Sequence, residues 1–326
     1  GGSDGSILVT GANGIAPYQY SIDNGVTFQA SNVFNGLSAG PYDVVVIDSK
    51  SCVSPATIVT ITEPALVGGT IVLTQGLTCG AGNVTQAAIV TVTGSGGTAP
   101  YTYSFDGGLN YTSTNTYTTY SSGIVTAYVK DANGCLIPVA ITVNVPALDP
   151  PTDLDFVSTA VTCLALTSDV TLTATNGVGP FTYEIISPII VVPQPSNVFS
   201  GLTPDTYVFR VTDANGCYYE ESYTVDPVTN ITVSGALMND VSCNGGSNGA
   251  VDFTVSNFAG TYSYTINGGP AVVGQSAATI NLTGLAIGNQ TIVVTDETTG
   301  CTATVTILVS EPTVLTLVET TNINAN

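Results

Sequence analysis

One phrase order, written four times, constrains this chain more than any other feature. Cysteines that follow an Asp-headed turn fall at Cys52, Cys135, Cys217 and Cys301, in steps of 83, 82 and 84 residues. Unit-ending prolines fall at Pro64, Pro146, Pro227 and Pro312, in steps of 82, 81 and 85. Between these marks the same phrases return in order, from "PYQYSIDNG" at Pro17 to "PYTYSFDGG" at Pro100, "PFTYEI" at Pro180 and "TYSYTINGG" at Thr261. A fixed period of about 83 residues means tandem copies of one structural unit. The expected repeats are residues 1–64, 65–146, 147–227 and 228–312, with 313–326 supplying the first strand of a further repeat. "CNGGSNGAVDFTV" (Cys243–Val255) against the opening "GGSDGSILVT" matches Gly1 to Gly245, so the first repeat's own first strand and leading cysteine are expected upstream of residue 1.

Each unit reads as strands. "YDVVVID", "TAYVKD", "YVFRVTD" and "TIVVTD" are runs rich in β-branched residues that end in Asp. A turn and a second such run follow each of them. In "DANGC" (Asp131–Cys135 and Asp213–Cys217) the Asn-Gly pair predicts a type I′ hairpin turn, because both residues tolerate positive φ. Some seven short strands per unit, with turns every 8–12 residues, predict an immunoglobulin-like β-sandwich. Leu and Tyr bracket a tight crossing in "LSAGPY" (Leu37–Tyr42) and "LTPDTY" (Leu202–Tyr207), the pattern of a tyrosine corner, while Gln290 replaces the Tyr in the fourth unit. The expected fold class is all-β: four tandem immunoglobulin-like β-sandwich repeats forming an elongated rod, with proline at each junction giving semi-rigid joints.

Composition narrows the function. Charged residues are 8% of the chain, and Lys50, Lys130 and Arg210 face 23 acids, for a formal charge of −20. Such a surface repels phosphate backbones and anionic lipid, which excludes nucleic-acid binding and electrostatic membrane docking. No apolar stretch reaches the length of a membrane span. There is no His, so the commonest general base and metal ligand is missing. Glu220 and Glu221 alternate faces on a strand and do not converge as an acid–base pair would. No glycine cluster is followed by the helix and Lys of a phosphate loop. No enzyme is expected.

Seven cysteines, Cys52, Cys79, Cys135, Cys163, Cys217, Cys243 and Cys301, are two per unit with the first unit's leading one outside the sequence. Regular doubling in so acidic a chain implies disulfides and an oxidising, extracellular setting. A zinc site would need C-x-x-C or His, and neither is present. Pairing stays open among three schemes. Bridges within a unit would join Cys79–Cys135, Cys163–Cys217 and Cys243–Cys301; adjacent pairs would be Cys52–Cys79, Cys135–Cys163 and Cys217–Cys243. Staples between consecutive units would join Cys79–Cys217 and Cys163–Cys301. Geometry favours the last scheme. The two cysteines of one sandwich lie at opposite ends of strands spanning about 33 Å, whereas a disulfide holds its Cα atoms about 4.4–6.8 Å apart.

"CNGGSNGAVDFTV", "PYTYSFDGG", "AGPYDVVVID", "DANGC" and "TITEP", taken in order, resemble the SprB-type repeats of Bacteroidota cell-surface proteins, over essentially the whole chain. Departures are Gln290, the altered middle of the second unit and the stretch Ser187–Phe199 in the third. The resemblance implies a very large secreted adhesin, exported by the type IX system and carried along the cell during gliding.

Two binding expectations remain. "ALDPPTDLD" gathers Asp149, Asp153 and Asp155 at the junction of the second and third units, a candidate calcium set that Asp131, Asp213 and Asp296 could join; the alternative is that these acids close turns and keep the surface soluble. Tyr101, Tyr103, Tyr111, Tyr117 and Tyr120 make the second unit the one with aromatics to spare for stacking on sugar rings. The expected function is thus a structural segment of a long cell-surface adhesin or extracellular filament, spacing or presenting an adhesive tip. Its expected partners are its own neighbouring repeats, surface polysaccharide, or other copies of the filament. The alternative functions are a carbohydrate-binding repeat module and a polymerising subunit in which the strand from Thr313 completes a neighbouring chain's sheet.

Overall fold

The structure, a computed structural model, describes residues 2–319. It is all-β, and the strands follow the β-branched runs. The first repeat contributes β1 (Gly5–Leu8), β2 (Gln19–Ser21), β3 (Val33–Leu37), β4 (Gly40–Ile47) and β5 (Thr57–Ile61). The second contributes β6 (Gly68–Gln75), β7 (Thr78–Cys79), β8 (Thr85–Gln86), β9 (Ala88–Ser95), β10 (Thr102–Ser104), β11 (Thr116–Thr119), β12 (Gly123–Lys130) and β13 (Ile141–Val145). In the third lie β14 (Asp153–Ser158), β15 (Ser168–Thr175), β16 (Thr182–Ser187), β17 (Val191–Gln194), β18 (Val198–Leu202), β19 (Asp205–Thr212) and β20 (Tyr218–Val225). The fourth holds β21 (Thr232–Asn239), β22 (Gly249–Ser256), β23 (Tyr262–Ile266), β24 (Val272–Gln275), β25 (Thr279–Leu285), β26 (Gly288–Asp296) and β27 (Thr302–Val309).

The last two repeats have one topology. One sheet runs β14-β15-β18 or β21-β22-β25, and the other β17-β16-β19-β20 or β24-β23-β26-β27, with every neighbouring pair antiparallel. The second repeat keeps the plan with β11-β9-β6 facing β10-β12-β13, and adds the small hairpin β7-β8. The first repeat has β2-β4-β5 as one sheet, but only β1-β3 as the other. β1 therefore presents an edge that β9, β15 and β22 each cover with a first strand.

Alternation along these strands makes the cores. Val170, Leu172, Ile185, Phe209 and Val211 are 0% exposed and close the third sandwich from both sheets; Val251, Phe253, Tyr262, Ile292 and Val294 do so in the fourth, again at 0%. Tyrosine corners form where Leu and Tyr bracket the crossing. Tyr42 Oη donates to the Ser38 carbonyl at 2.9 Å, and Tyr207 Oη to the Thr203 carbonyl at 2.8 Å. Gln290 fills the same place differently: it is buried, and its Oε1 accepts from Asn267 Nδ2 at 2.9 Å.

The chain forms two compact units. One takes residues up to Leu77 together with Thr85–Ala147; the other takes Thr78–Val84 together with the described residues from Leu148 onward. The expected strand beyond Thr313 does not form over its described part. Residues 313–319 pair with no strand among the described residues and are exposed. The rest of that expected strand, 320–326, lies outside the described residues.

Candidate functional site

The repeated Asp-headed turn is a carboxylate hub. In the second repeat Asp131 Oδ1 accepts the Asn133 and Cys135 backbone N–H groups at 3.0 and 2.8 Å, and Oδ2 accepts that of Thr98 at 2.9 Å. Asp213 repeats this with Asn215, Cys217 and Val178 at 2.9, 2.9 and 3.3 Å. Asp48 holds Lys50, Cys52 and Ile15 at 2.9, 2.9 and 3.0 Å; Asp296 holds Thr298, Thr299 and Ala259 at 2.8, 2.9 and 2.6 Å. Each carboxylate thus fixes the turn with one oxygen and anchors the loop before the unit's "PYTY"-type strand with the other.

These bonds set the charge state. The Ile15 N–H, with those of Cys52 and Lys50, holds the Asp48 carboxyl below the ordinary range against a raising effect of burial. For Asp131 and Asp296 burial is the largest single influence and pushes upward, yet their backbone donors together outweigh it, so both remain below the ordinary value.

The turn type differs from the expected I′. Only the glycine has positive φ, at 84° in Gly134, 76° in Gly216 and 69° in Gly300, with Ser51 at 62° taking its place in the first repeat. The Asp carboxylate captures the N–H two residues on. That holds the Asn in a conformation with negative φ and produces a type I-like turn ending in a left-handed residue.

Two of these turns carry staples. Cys79 bonds Cys217 and Cys163 bonds Cys301, each 138 residues apart, with Cα separations of 4.8 and 5.0 Å. Both bring the same backbone bond: the Cys79 N–H donates to the Asn215 carbonyl at 2.8 Å, and the Cys163 N–H to that of Thr299 at 2.9 Å. Turn glycine is required here for space as well as φ. A Cβ on Gly216 would lie 3.0 Å from the Cys79 carbonyl oxygen, and one on Gly300 would lie 2.9 Å from the Leu164 side chain. Asn83 is a further contact here that no sequence pattern marks: its side chain pairs with the backbone of Tyr218 through bonds of 2.7 and 2.9 Å.

Of the seven cysteines expected in disulfides, three have no partner within residues 1–326. Cys52, Cys135 and Cys243 are free, exposed thiols. The reason is register. The leading cysteine of one repeat reaches the turn cysteine of the next, and within residues 1–326 that rule completes only the pairs at Cys79 and Cys163.

The other candidates separate. Asp149, Asp153 and Asp155 are exposed, the last two on β14, and Asp153 Oδ1 accepts the Leu154 N–H at 3.0 Å. Among the described residues no three His, Cys, Asp or Glu side chains form a group able to hold a metal ion. Glu220 and Glu221 do face apart: Glu220 Oε1 accepts from Arg210 Nε at 2.8 Å, and Glu221 Oε2 accepts the Leu154 N–H at 3.2 Å. The tyrosines of the second repeat divide likewise. Tyr101 donates to the Gly96 carbonyl, Tyr111 lies under Lys130 Nζ at 3.9 Å, and Tyr117 stacks on Phe105 at 5.1 Å.

A second carboxylate hub escaped sequence reasoning. Asp23 accepts from the Ser21 hydroxyl at 2.6 Å and from the Thr27 hydroxyl and N–H at 2.6 and 2.9 Å, which lowers its pKa to about 2. Asp106 sits the same way between Asn110 and Ser104, led by the Asn110 N–H, and is held well below the carboxylate range. Its signal was the S-x-D of "YSIDNG" and "YSFDGG", a spacing the last two repeats lack.

Matched against known families, residues 1–27 and 238–271 fit the SprB repeat. Parts of the first and fourth repeats thus match the SprB repeat. No curated protein matches it. Among solved structures, the tetra-tandem repeat from the extending region of a large adhesion protein is 14% identical, covers 92% of this chain and 94% of its own, and has a TM-score of 0.26. The three N-terminal domains of the bacteriophage RB49 outer capsid protein Hoc are 12% identical over 77% and 100%, with a TM-score of 0.40. The BSP domain of a biofilm-associated protein is 11% identical over 95% and 88%, with a TM-score of 0.26. At these scores none of the three bears on what the repeats of this chain do. Their two disulfides fit an oxidising compartment. Among the described residues no helix is long and apolar enough to cross a membrane.

Proposed function

We propose that the chain is a non-enzymatic structural segment of a secreted cell-surface adhesin, with repeat boundaries at residues 64, 146, 227 and 312. Its SprB-type repeats hold an adhesive element away from the cell and support attachment or gliding. The observation that carries this reading is the staple register. A disulfide from each leading cysteine to the next repeat's turn ties consecutive repeats covalently, and such a bridge typically contributes about 2–4 kcal/mol. The chemistry spent on named side chains goes into turns and bridges, and the hub carboxylates are already occupied by backbone donors. Scarcity of Lys and Arg adds resistance to trypsin-like proteases.

A second reading rests on one place. Phe105 and Tyr117 stack beside Thr119, Ser121, Ser122 and Thr126 around an open cleft of ≈ 380 Å³, a surface suited to a sugar ring in a carbohydrate-binding module. A glycan array probed with the whole chain separates the two. The structural reading expects no signal above background. Saturable binding that is lost in Tyr117→Ala would replace it with the carbohydrate reading. Surface labelling of intact cells with an antibody to the chain tests the location, and labelling only after lysis would overturn it.

A further inference from the structure

The leading loop of the second repeat is held by more than its sulfur. Residues Thr78–Val84 belong to the same compact unit as the third repeat. Cys79 bonds Cys217 there, and the Cys79 N–H donates to the Asn215 carbonyl at 2.8 Å. Asn83 adds a separate clasp. Its Nδ2 donates to the Tyr218 carbonyl at 2.7 Å, and its Oδ1 accepts the Tyr218 N–H at 2.9 Å. Tyr218 opens β20, an edge strand of its sheet, opposite Thr212 of β19. Along an edge strand alternate residues turn both backbone groups away from the ladder, and Tyr218 is one of these. The Asn83 amide therefore fills the place that a neighbouring strand's peptide would take.

The loop is shaped for this by its own bonds. β7 pairs with β8 across it, and the Gly80 N–H donates to the Val84 carbonyl at 2.8 Å. Gly82 and Asn83 follow each other in left-handed backbone, at φ of 68° and 57°, a conformation that Gly and Asn tolerate best. The next leading loop lacks the device. Thr167 follows Cys163 at the spacing at which Asn83 follows Cys79, and Thr302 stands in the place of Tyr218. Leu164 packs on that turn instead, 2.9 Å from where a Cβ on Gly300 would lie.

We propose that Asn83 is the positioning residue that brings Cys79 to Cys217. Its amide seats the leading loop on the open edge of β20, and the sulfur bond closes what the clasp has already brought together. This role rests on the staple register described above and adds the residue that sets it at one junction. With oxidised glutathione as oxidant the chemistry balances. The Cys79 thiolate displaces one glutathione thiolate to give a mixed disulfide. The Cys217 thiolate then displaces the second glutathione, and each glutathione leaves as a thiol carrying one of the two cysteine protons. The protein disulfide forms as the glutathione disulfide is reduced. The clasp acts on the second displacement, by raising the effective concentration of one cysteine at the other.

The test equilibrates the full chain and two variants in graded mixtures of reduced and oxidised glutathione. Free thiols are trapped by alkylation, and each disulfide is read by mass spectrometry after non-tryptic digestion. Asn83→Gly keeps the left-handed backbone and removes both bonds. Asn83→Asp keeps the shape and the acceptor but loses the donor to the Tyr218 carbonyl. Two exposed bonds at the low end of the usual net contribution correspond to about a tenfold change. The expected result is that Asn83→Gly needs glutathione about tenfold more oxidising to hold Cys79–Cys217 half formed. Asn83→Asp shifts in the same direction, and Cys163–Cys301 in the same molecules keeps its midpoint. An unchanged Cys79–Cys217 midpoint in both variants overturns the proposal. So does an equal shift of both staples, which marks a general loss of stability, or a shift in Asn83→Gly alone, which traces to backbone freedom. In all three cases the staple reading stands. A parent chain with no Cys79–Cys217 linkage under any mixture overturns both.

Discussion

Asp131–Cys135 and Asp213–Cys217 are the same five letters, and the structure gives them different lives. Both carboxylates are buried, at 5% exposure each, and both accept the N–H groups two and four residues on. Yet Cys135 is an exposed thiol and Cys217 is 0% exposed in a disulfide. The turn is therefore made by its own aspartate, and the staple is added by whatever segment arrives beside it. Glycine records the same difference. Nothing lies within 4 Å of a Cβ on Gly134, while one on Gly216 meets the Cys79 carbonyl.

The largest expected effect breaks this comparison at the sulfur. Cys217→Ser should lower stability by about 2–4 kcal/mol, whereas Cys135→Ser should stay within about 0.5 kcal/mol. Calorimetry of both variants, with and without reductant, checks it; equal losses would mean that the unstapled turn depends on its thiol. Next come the glycines. Gly134→Ala should cost about 1–2 kcal/mol for left-handed backbone alone. Gly216→Ala should cost more, because the Cys79 carbonyl must also retreat, and urea midpoints of the two would rank them. Smaller still, Tyr207→Phe should lose about 1 kcal/mol with its bond to the Thr203 carbonyl, and the more exposed Tyr42→Phe should lose less.

Acid extends the comparison to the two kinds of hub. Asp23 and Asp106 titrate below their unfolded value of about 3.9. A depressed folded pKa contributes stability that is fully present above the unfolded value and is lost as pH falls toward the folded one. Lowering pH from 5 toward about 2 should therefore weaken the first unit, which holds both residues. Asp23→Asn and Asp106→Asn together should flatten that loss, read as the unfolding midpoint against pH.

How far the sequence reached can be judged residue by residue. Tyrosine corners were legible because Leu and Tyr a fixed distance apart leave the hydroxyl one carbonyl to reach. Staples were legible only as the geometric favourite among three schemes, since cysteine spacing alone fits all of them. The turn type was misread because Asn-Gly propensity is intrinsic to the backbone, while the deciding bond came from the Asp side chain. Asn83 gave no signal, as its partner Tyr218 is 135 residues away. The division into two compact units, with Thr78–Val84 assigned to the second, breaks the repeat period and so could not be read from it.

The two staples have a consequence that neither has alone. Their spans interleave, for Cys163 lies inside the loop closed by Cys79–Cys217, and Cys217 lies inside the loop closed by Cys163–Cys301. One cut of the backbone anywhere from Cys79 to Cys301 therefore frees no fragment. A pull between those residues also has little slack to draw out. The shortest covalent route runs through sulfur from Cys79 to Cys217, back along about 54 residues to Cys163, and through sulfur to Cys301. That is roughly 180–190 Å of extended chain, where the uncrossed backbone would yield roughly 730–800 Å. Even fully unravelled, this part of the molecule is a short tether.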